Sequence, residues 1–179
     1  MNNKWLSQAL FAALIVAIAL PEAARAQITD NDGCSNATLR GDYAFTINGQ
    51  LFPPGSPIVT RDGVAMTFFD GAGHLTQVDF VMQYPDKAGN SSPVPGQPNS
   101  VSQFNTGERG SYRVFQDCTG EMEIDFPPLG MGGAVIKARF VLSDAGQVIH
   151  TAVYSVEPPN AAAPIPALIH SEGRKLLRR

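Results

Sequence analysis

The chain has 179 residues, enough for one domain with a single hydrophobic core. Its formal net charge is −3, and four of its 13 basic residues lie in the last six positions, so the rest of the chain is distinctly acidic. An acidic body argues against nucleic acid as the main partner, because a polyanion is bound by a basic surface.

The N-terminal residues have the pattern of a secretory signal peptide. Lys4 precedes an apolar run from Trp5 to Leu20, and Ala24-Arg25-Ala26 supplies the small-x-small cleavage pattern. The run is shorter than the ~20 residues that a membrane span needs. We therefore predict cleavage after Ala26, leaving 27–179 as one exported domain, periplasmic or extracellular. No second long apolar run follows, so no membrane span is expected in the mature chain.

The two cysteines, Cys34 and Cys118, lie in the predicted mature domain. An even count in an oxidising compartment predicts a disulfide. A redox pair is the weaker interpretation, because the chain has no Cys-x-x-Cys motif.

Short alternating segments rich in β-branched and aromatic residues, separated by Gly and Pro, predict strands along the whole mature domain. Strands are expected at Leu39–Asn48, Val64–Phe69, His74–Tyr84, Glu108–Phe115, Glu121–Phe126, Ala134–Leu142, Gln147–Val156 and Ala167–Arg179. Between them, residues 85–102 are almost entirely Pro, Gly, Asn, Ser, Gln and Asp. A loop of this length is either a functional lid or disordered, and its lack of apolar residues favours disorder.

These strands follow one another without a long crossover, which favours an all-β antiparallel meander barrel of about eight strands. A β-sandwich is the alternative. A weak internal repeat supports two similar halves: Gly41-Asp42-Tyr43 resembles Gly110-Ser111-Tyr112, and in each half a turn containing Asp and Gly follows.

Three motifs resemble a group of uncharacterised exported bacterial proteins. They are Cys34-Ser35-Asn36-Ala37-Thr38-Leu39-Arg40-Gly41-Asp42-Tyr43-Ala44-Phe45, Phe69-Asp70-Gly71-Ala72-Gly73, and Gly110-Ser111-Tyr112 continuing to Asp117-Cys118-Thr119-Gly120. At the level of fold such proteins are similar to lipocalin-like barrels and to the allene oxide cyclase and dirigent barrels. The resemblance implies a fold and no particular chemistry.

Common enzyme signatures and metal-ligand spacings are missing from the sequence, so no cofactor and no metal site are expected. Glu123 and Asp125 share one strand face at a distance suited to acid–base work, but Glu121 extends the same stripe and favours a solvated face. On the predicted strand Ala134–Leu142, Ile136, Ala138 and Phe140 are expected to face inward, so Lys137 and Arg139 are expected to point outward.

His150 is the most interesting single residue, because strand alternation places it on one face with Val148, Ala152 and Tyr154. If that face is internal, His150 and Tyr154 line a ligand pocket; if not, Ile149, Thr151 and Val153 fill the core. We formulate the hypothesis that His150 and Tyr154 face inward, with Tyr43 and Tyr112 as further ligand-binding candidates.

Two classes of function remain, together with the alternative of a structural or surface-interaction protein that binds no ligand. The first is an exported barrel that binds a small apolar or amphipathic molecule, and the second is a cofactor-independent isomerase or cyclase on the same barrel. A packed interior would instead indicate a structural or surface-interaction protein. Whether the chain is an enzyme is left open by the sequence, as is its oligomeric state.

Overall fold

The computed structural model describes residues 33–84, 104–127, 133–159 and 161–177. Within these ranges the chain forms eight strands: β1 (Arg40–Leu51), β2 (Val59–Asp70), β3 (His74–Tyr84), β4 (Asn105–Val114), β5 (Thr119–Asp125), β6 (Val135–Ser143), β7 (Val148–Glu157) and β8 (Ile165–Lys175). All eight predicted strands are present. The predicted signal peptide and the polar segment 85–102 lie outside the described residues.

Each strand pairs antiparallel with the next, and β1 pairs with β8, so the sheet closes into a barrel in the order β1 to β8. The predicted meander barrel is therefore confirmed over the sandwich. Among the described residues β3 pairs with β4 only from His74 to Asp79, but every strand has a neighbour on both sides, and eight strands enclose an interior that side chains fill or that holds one small ligand.

One end of the barrel is plugged by the segment before β1. The segment contains a single turn of 3-10 helix, Asn36–Thr38, and Leu39, which is completely buried. The disulfide between Cys34 and Cys118 ties this plug to the β4–β5 turn, with their Cα atoms 4.9 Å apart. The predicted bridge is confirmed.

The plug also requires a glycine in the β6–β7 turn. Gly146 has φ of +80°, and a Cβ atom there would lie 2.7 Å from the carbonyl oxygen of Thr38. A side chain at this position would both strain the backbone and push the plug outward.

Strand alternation sorts the side chains between the barrel interior and its outer face. On β5, Met122 and Ile124 are buried as predicted, and Phe126 is buried just beyond the strand's last residue. On β7 a register irregularity between Val153 and Ser155 breaks the alternation, so that Ser155 and Val156 are both buried. Among the described residues, no helix has the length and apolarity needed to cross a membrane.

Candidate internal binding site

The interior of the barrel contains a cavity of about 80 Å³. Most of its wall is apolar and comes from strands all around the barrel, including Phe45, Ile47, Ala65, Val81, Met122, Ile124, Phe126, Ile136, Ala138 and Ile169. A cavity of ~150 Å³ admits benzene, so this one suits an unbranched chain or a small polar group better than a ring.

One wall of the cavity is polar. Arg61 and Thr67 on β2 and Gln77 and Asp79 on β3 all line it. Behind them on β4 lies Glu108, which is 1% exposed, while Asp79 is 2% exposed. We call these five residues the polar wall. Because polar groups are costly to bury, four buried polar side chains and the half-buried Arg61 on one side of a small barrel need an explanation.

A chain of hydrogen bonds connects the polar wall from β2 to β4. The Thr67 hydroxyl donates to Oε1 of Gln77 at 2.7 Å, and Nε2 of Gln77 donates to Oε2 of Glu108 at 2.8 Å. Nδ2 of Asn105, at the start of β4, donates to Oδ1 of Asp79 at 2.7 Å. Gln77 and Asp79 are two residues apart on β3, so alternation places both on the face of Glu108, the register partner of Gln77; the register shift between Gln77 and Asp79 places Asn105 opposite Asp79.

Asp79 and Glu108 form a buried carboxyl pair. Among the described residues, no hydrogen-bond donor reaches Oε1 of Glu108, and a proton held between the two carboxyls would satisfy that oxygen. Burial, followed by the charge of Asp79, raises the pKa of Glu108 to about 8. Burial also raises the pKa of Asp79, although the hydrogen bonds from Asn105 and Glu108 and the charge of Arg61 oppose this. At neutral pH the pair therefore holds a proton.

Arg61 supplies the balancing positive charge. Burial lowers the pKa of its guanidinium, and the negative charge of Asp79 opposes that effect. With Arg61 charged and one proton held by the Asp79–Glu108 pair, the five residues of the polar wall carry no net charge. On the opposite wall, Thr151 and Ser171 place two hydroxyls 2.5 Å apart.

Sequence reasoning missed the polar wall, because on β2 and β3 the outer face is the more apolar one. Val64, Met66 and Phe68 are exposed on β2, and Met82 is exposed on β3. The informative signal was the hairpin between these strands. Phe69 and Leu75 pair across it and are almost completely buried. Every second residue from Phe69 back along β2, and from Leu75 forward along β3, shares their face, which assigns the polar residues to the interior.

Tyr43 and Tyr112, two of the predicted ligand-binding residues, are buried at the plugged end. Their rings pack edge-on against Phe69 at centroid distances of 5.4 and 5.1 Å. The Tyr43 hydroxyl donates to the carbonyl of Gly146 at 2.5 Å, and the Tyr112 hydroxyl donates to the carbonyl of Leu39 at 2.8 Å. Neither is among the residues that line the cavity, so both close the barrel end.

His150 and Tyr154 lie on the outer face, so the hypothesis that they face inward is wrong. The His150 side chain is 48% exposed and lies 3.6 Å from Glu172, and Tyr154 is 51% exposed beneath the guanidinium of Arg139. The alternative arrangement of β7 holds: Ile149, Thr151 and Val153 point inward. The physical reason is that Ile149, near the start of β7, packs into the core at the closed end of the barrel. Because neighbouring residues of a strand point to opposite faces, His150 is turned outward.

The acidic stripe on β5 is part of a solvated charge ladder. Glu121 pairs with Arg139, while Lys137 lies 2.9 Å from Glu157 and 4.0 Å from Glu123. Lys137 and Arg139 point outward as predicted. Within the described ranges, no three His, Cys, Asp or Glu side chains are grouped so as to hold a metal ion.

Comparison with known proteins gives no family for this chain: no protein-family model matches it, and no curated protein matches it. The function is therefore argued from the geometry of the barrel interior.

Proposed function

We propose that the protein is an exported barrel that binds a small amphipathic molecule in its interior. The observation that carries the proposal is the division of the cavity into an apolar wall and a hydrogen-bonding polar wall. Such a cavity orients a ligand, because its apolar part is buried against the first wall and its polar end is bound by the second. In this respect the barrel is lipocalin-like.

The ligand is slender, or only one end of it enters the barrel. Drug-sized molecules occupy pockets of ~300 Å³ or more, whereas the cavity holds about 80 Å³. The plug with the Cys34–Cys118 bridge closes one end of the barrel. The ligand therefore enters from the opposite end, where the β1–β2 turn and the β7–β8 connection lie.

Export is part of the proposal and is supported by two features. The first 26 residues have the three-part pattern of a signal peptide. The two cysteines form a disulfide, which persists in oxidising compartments.

The proposal is tested by extracting the folded protein, isolated from the compartment in which it accumulates, and identifying the bound molecule by mass spectrometry. Ala138→Leu fills the cavity from β6 and should abolish co-purification. Ala152→Leu makes the same change on the outer face of the neighbouring strand, opposite Arg139, and should retain the molecule. Ala65→Leu fills the cavity from β2 and replaces Ala138→Leu if that variant fails to fold. An extract without any enriched molecule, or equal retention by all folded variants, would contradict the proposal.

The buried carboxyl pair favours one second candidate, a cofactor-independent isomerase. Asp79 as base and protonated Glu108 as acid, both buried beside the cavity, resemble the groups that a proton-transfer enzyme places around its substrate. Incorporation of solvent deuterium into the extracted molecule by the parent, lost in Asp79→Asn, would distinguish this candidate from simple binding.

A further inference from the structure

We propose that the carboxyl pair Asp79–Glu108 is a proton-exchanging site for the primary amine of a ligand, which as an ammonium ion takes the place of the proton shared by the two carboxyls. The inference rests on the proposed binding function and adds the chemical class of the ligand's polar end. It is carried by the position of the pair, the donor-free oxygen of Glu108 and the charge balance of the polar wall.

The carboxyl pair lies at the wall of the cavity. Asp79 lines the cavity and Glu108 lies directly behind it, so an ammonium group at this wall contacts Asp79 and reaches Glu108 only by taking the place of the proton between the two carboxyls. Oε2 of Glu108 already accepts from Gln77, whereas no donor among the described residues reaches Oε1. An ammonium carries three N–H donors and supplies the donor that Oε1 lacks.

The charge balance of the polar wall also favours an ammonium ion. Within the described ranges, Arg61 from β2, Gln77 beside Asp79 on β3, and Asn105 on β4 face the pair, and Arg61 is the cation among these three. Across the cavity the polar groups are the neutral hydroxyls of Thr151 and Ser171. When an ammonium ion enters and one proton leaves Glu108 for bulk water, the buried charge is unchanged. A ligand carboxylate would instead add a third negative group beside the pair, which burial disfavours.

Binding of an amine at the pair depends on pH. The pKa of Glu108 is about 8, so near neutral pH the proton is held weakly enough for an amine to displace it. Because one proton is released per ammonium bound, the affinity should rise about tenfold per pH unit below pH 8 and level off above it. Alkylamines keep their charge in this range, since an unperturbed primary amine has a pKa near 10.4.

The test compares hexylamine, hexan-1-ol and hexanoate, whose six-carbon chains are identical. Affinities are measured at pH 6, 7 and 8 by NMR titration of the parent. Proton release is measured by calorimetry in buffers of different ionisation enthalpy. Hexylamine should bind about 50-fold more tightly at pH 8 than at pH 6, because the site is half deprotonated at pH 8, and it should release close to one proton at pH 6. The affinity of hexan-1-ol should change less than threefold between pH 6 and pH 8. At pH 8, hexanoate should bind more weakly than either of the other two compounds.

Two substitutions separate the site from the rest of the protein. Glu108→Gln removes the exchangeable proton and should remove both proton release and the pH dependence of hexylamine binding. Glu123→Gln changes an exposed glutamate on β5 and should behave like the parent. If hexan-1-ol binds but hexylamine shows no proton release and no pH dependence, the amine site is refuted and the binding function stands. If none of the three compounds binds, the proposed function fails with it.

Discussion

The buried carboxyl pair makes the stability of the protein depend on pH in a direction opposite to that of a typical salt-bridged carboxylate. The pKa of Glu108 is about 8 in the folded protein, against an ordinary value near 4.5. Below pH 4.5 the group is protonated in both states, and its contribution to the free energy of unfolding is fully present. As the pH rises, the unfolded chain loses the proton first, so this contribution is lost progressively and is absent above pH 8.

The size of the effect follows from the pKa difference. Each pH unit corresponds to about 1.4 kcal/mol, so the loss between pH 4.5 and 8 is roughly 3–5 kcal/mol. The raised pKa of Asp79 acts with the same sign. Asp70 acts in the opposite direction, since backbone hydrogen bonds from His74 and Ala72 lower its pKa to about 2, but its contribution is lost only below about pH 4.

Replacing Glu108 by Gln should remove this loss. The amide of Gln copies a protonated carboxyl: it can donate to Asp79 and accept from Gln77, but it cannot ionise. Urea denaturation, followed by circular dichroism between pH 5 and 8.5, should show the parent losing at least about 2 kcal/mol more than Glu108→Gln across this range. Glu123→Gln, on the outer face, should follow the parent. Equal slopes for the parent and Glu108→Gln would refute the assignment of the shared proton to the pair.

Two further predictions concern the plugged end. Cys34→Ser opens a loop with a sequence separation of 84, a loss of about 4–5 kcal/mol, so calorimetry should show a melting temperature lower by roughly 10 °C or more; an unchanged value would mean that the plug does not stabilise the barrel. Tyr112→Phe removes the hydroxyl that bonds Gly71 and Leu39 and should cost about 1–3 kcal/mol in urea denaturation, while Tyr154→Phe on the outer face should cost less than about 0.5 kcal/mol. Equal costs for the two tyrosine variants would contradict the assigned orientations.

The sequence predicted the barrel because turn residues and alternation are local signals. The Asp70–Gly73 turn and the alternation of β5 identify their strands without reference to the rest of the chain. The strand His74–Tyr84 was predicted with its observed bounds. The ends of the other strands were less accurate, because pairing with a neighbour extends a strand into residues with weak strand propensity, as at Asp62 and Gly63 of β2.

The binding site could not be predicted in the same way, because burial of a polar residue depends on partners far away in sequence. Glu108 accepts a hydrogen bond from Gln77, 31 positions earlier, and no local sequence pattern predicts such a contact. On β7 both faces carry apolar side chains, so alternation alone did not decide between His150 and Thr151. The decision is made by packing: Ile149 is completely buried in the core, which turns His150 outward.

The central claim, that the barrel interior is a binding site, is tested most directly by NMR of isoleucine methyl groups in the presence of hexylamine. Ile124, Ile136 and Ile169 line the cavity, whereas Ile58 is 51% exposed on the β1–β2 turn and serves as the internal control. At pH 8 we expect saturable shifts of the three cavity methyls and none at Ile58. Shifts confined to Ile58, or linear and non-saturable at all four methyls, would contradict it.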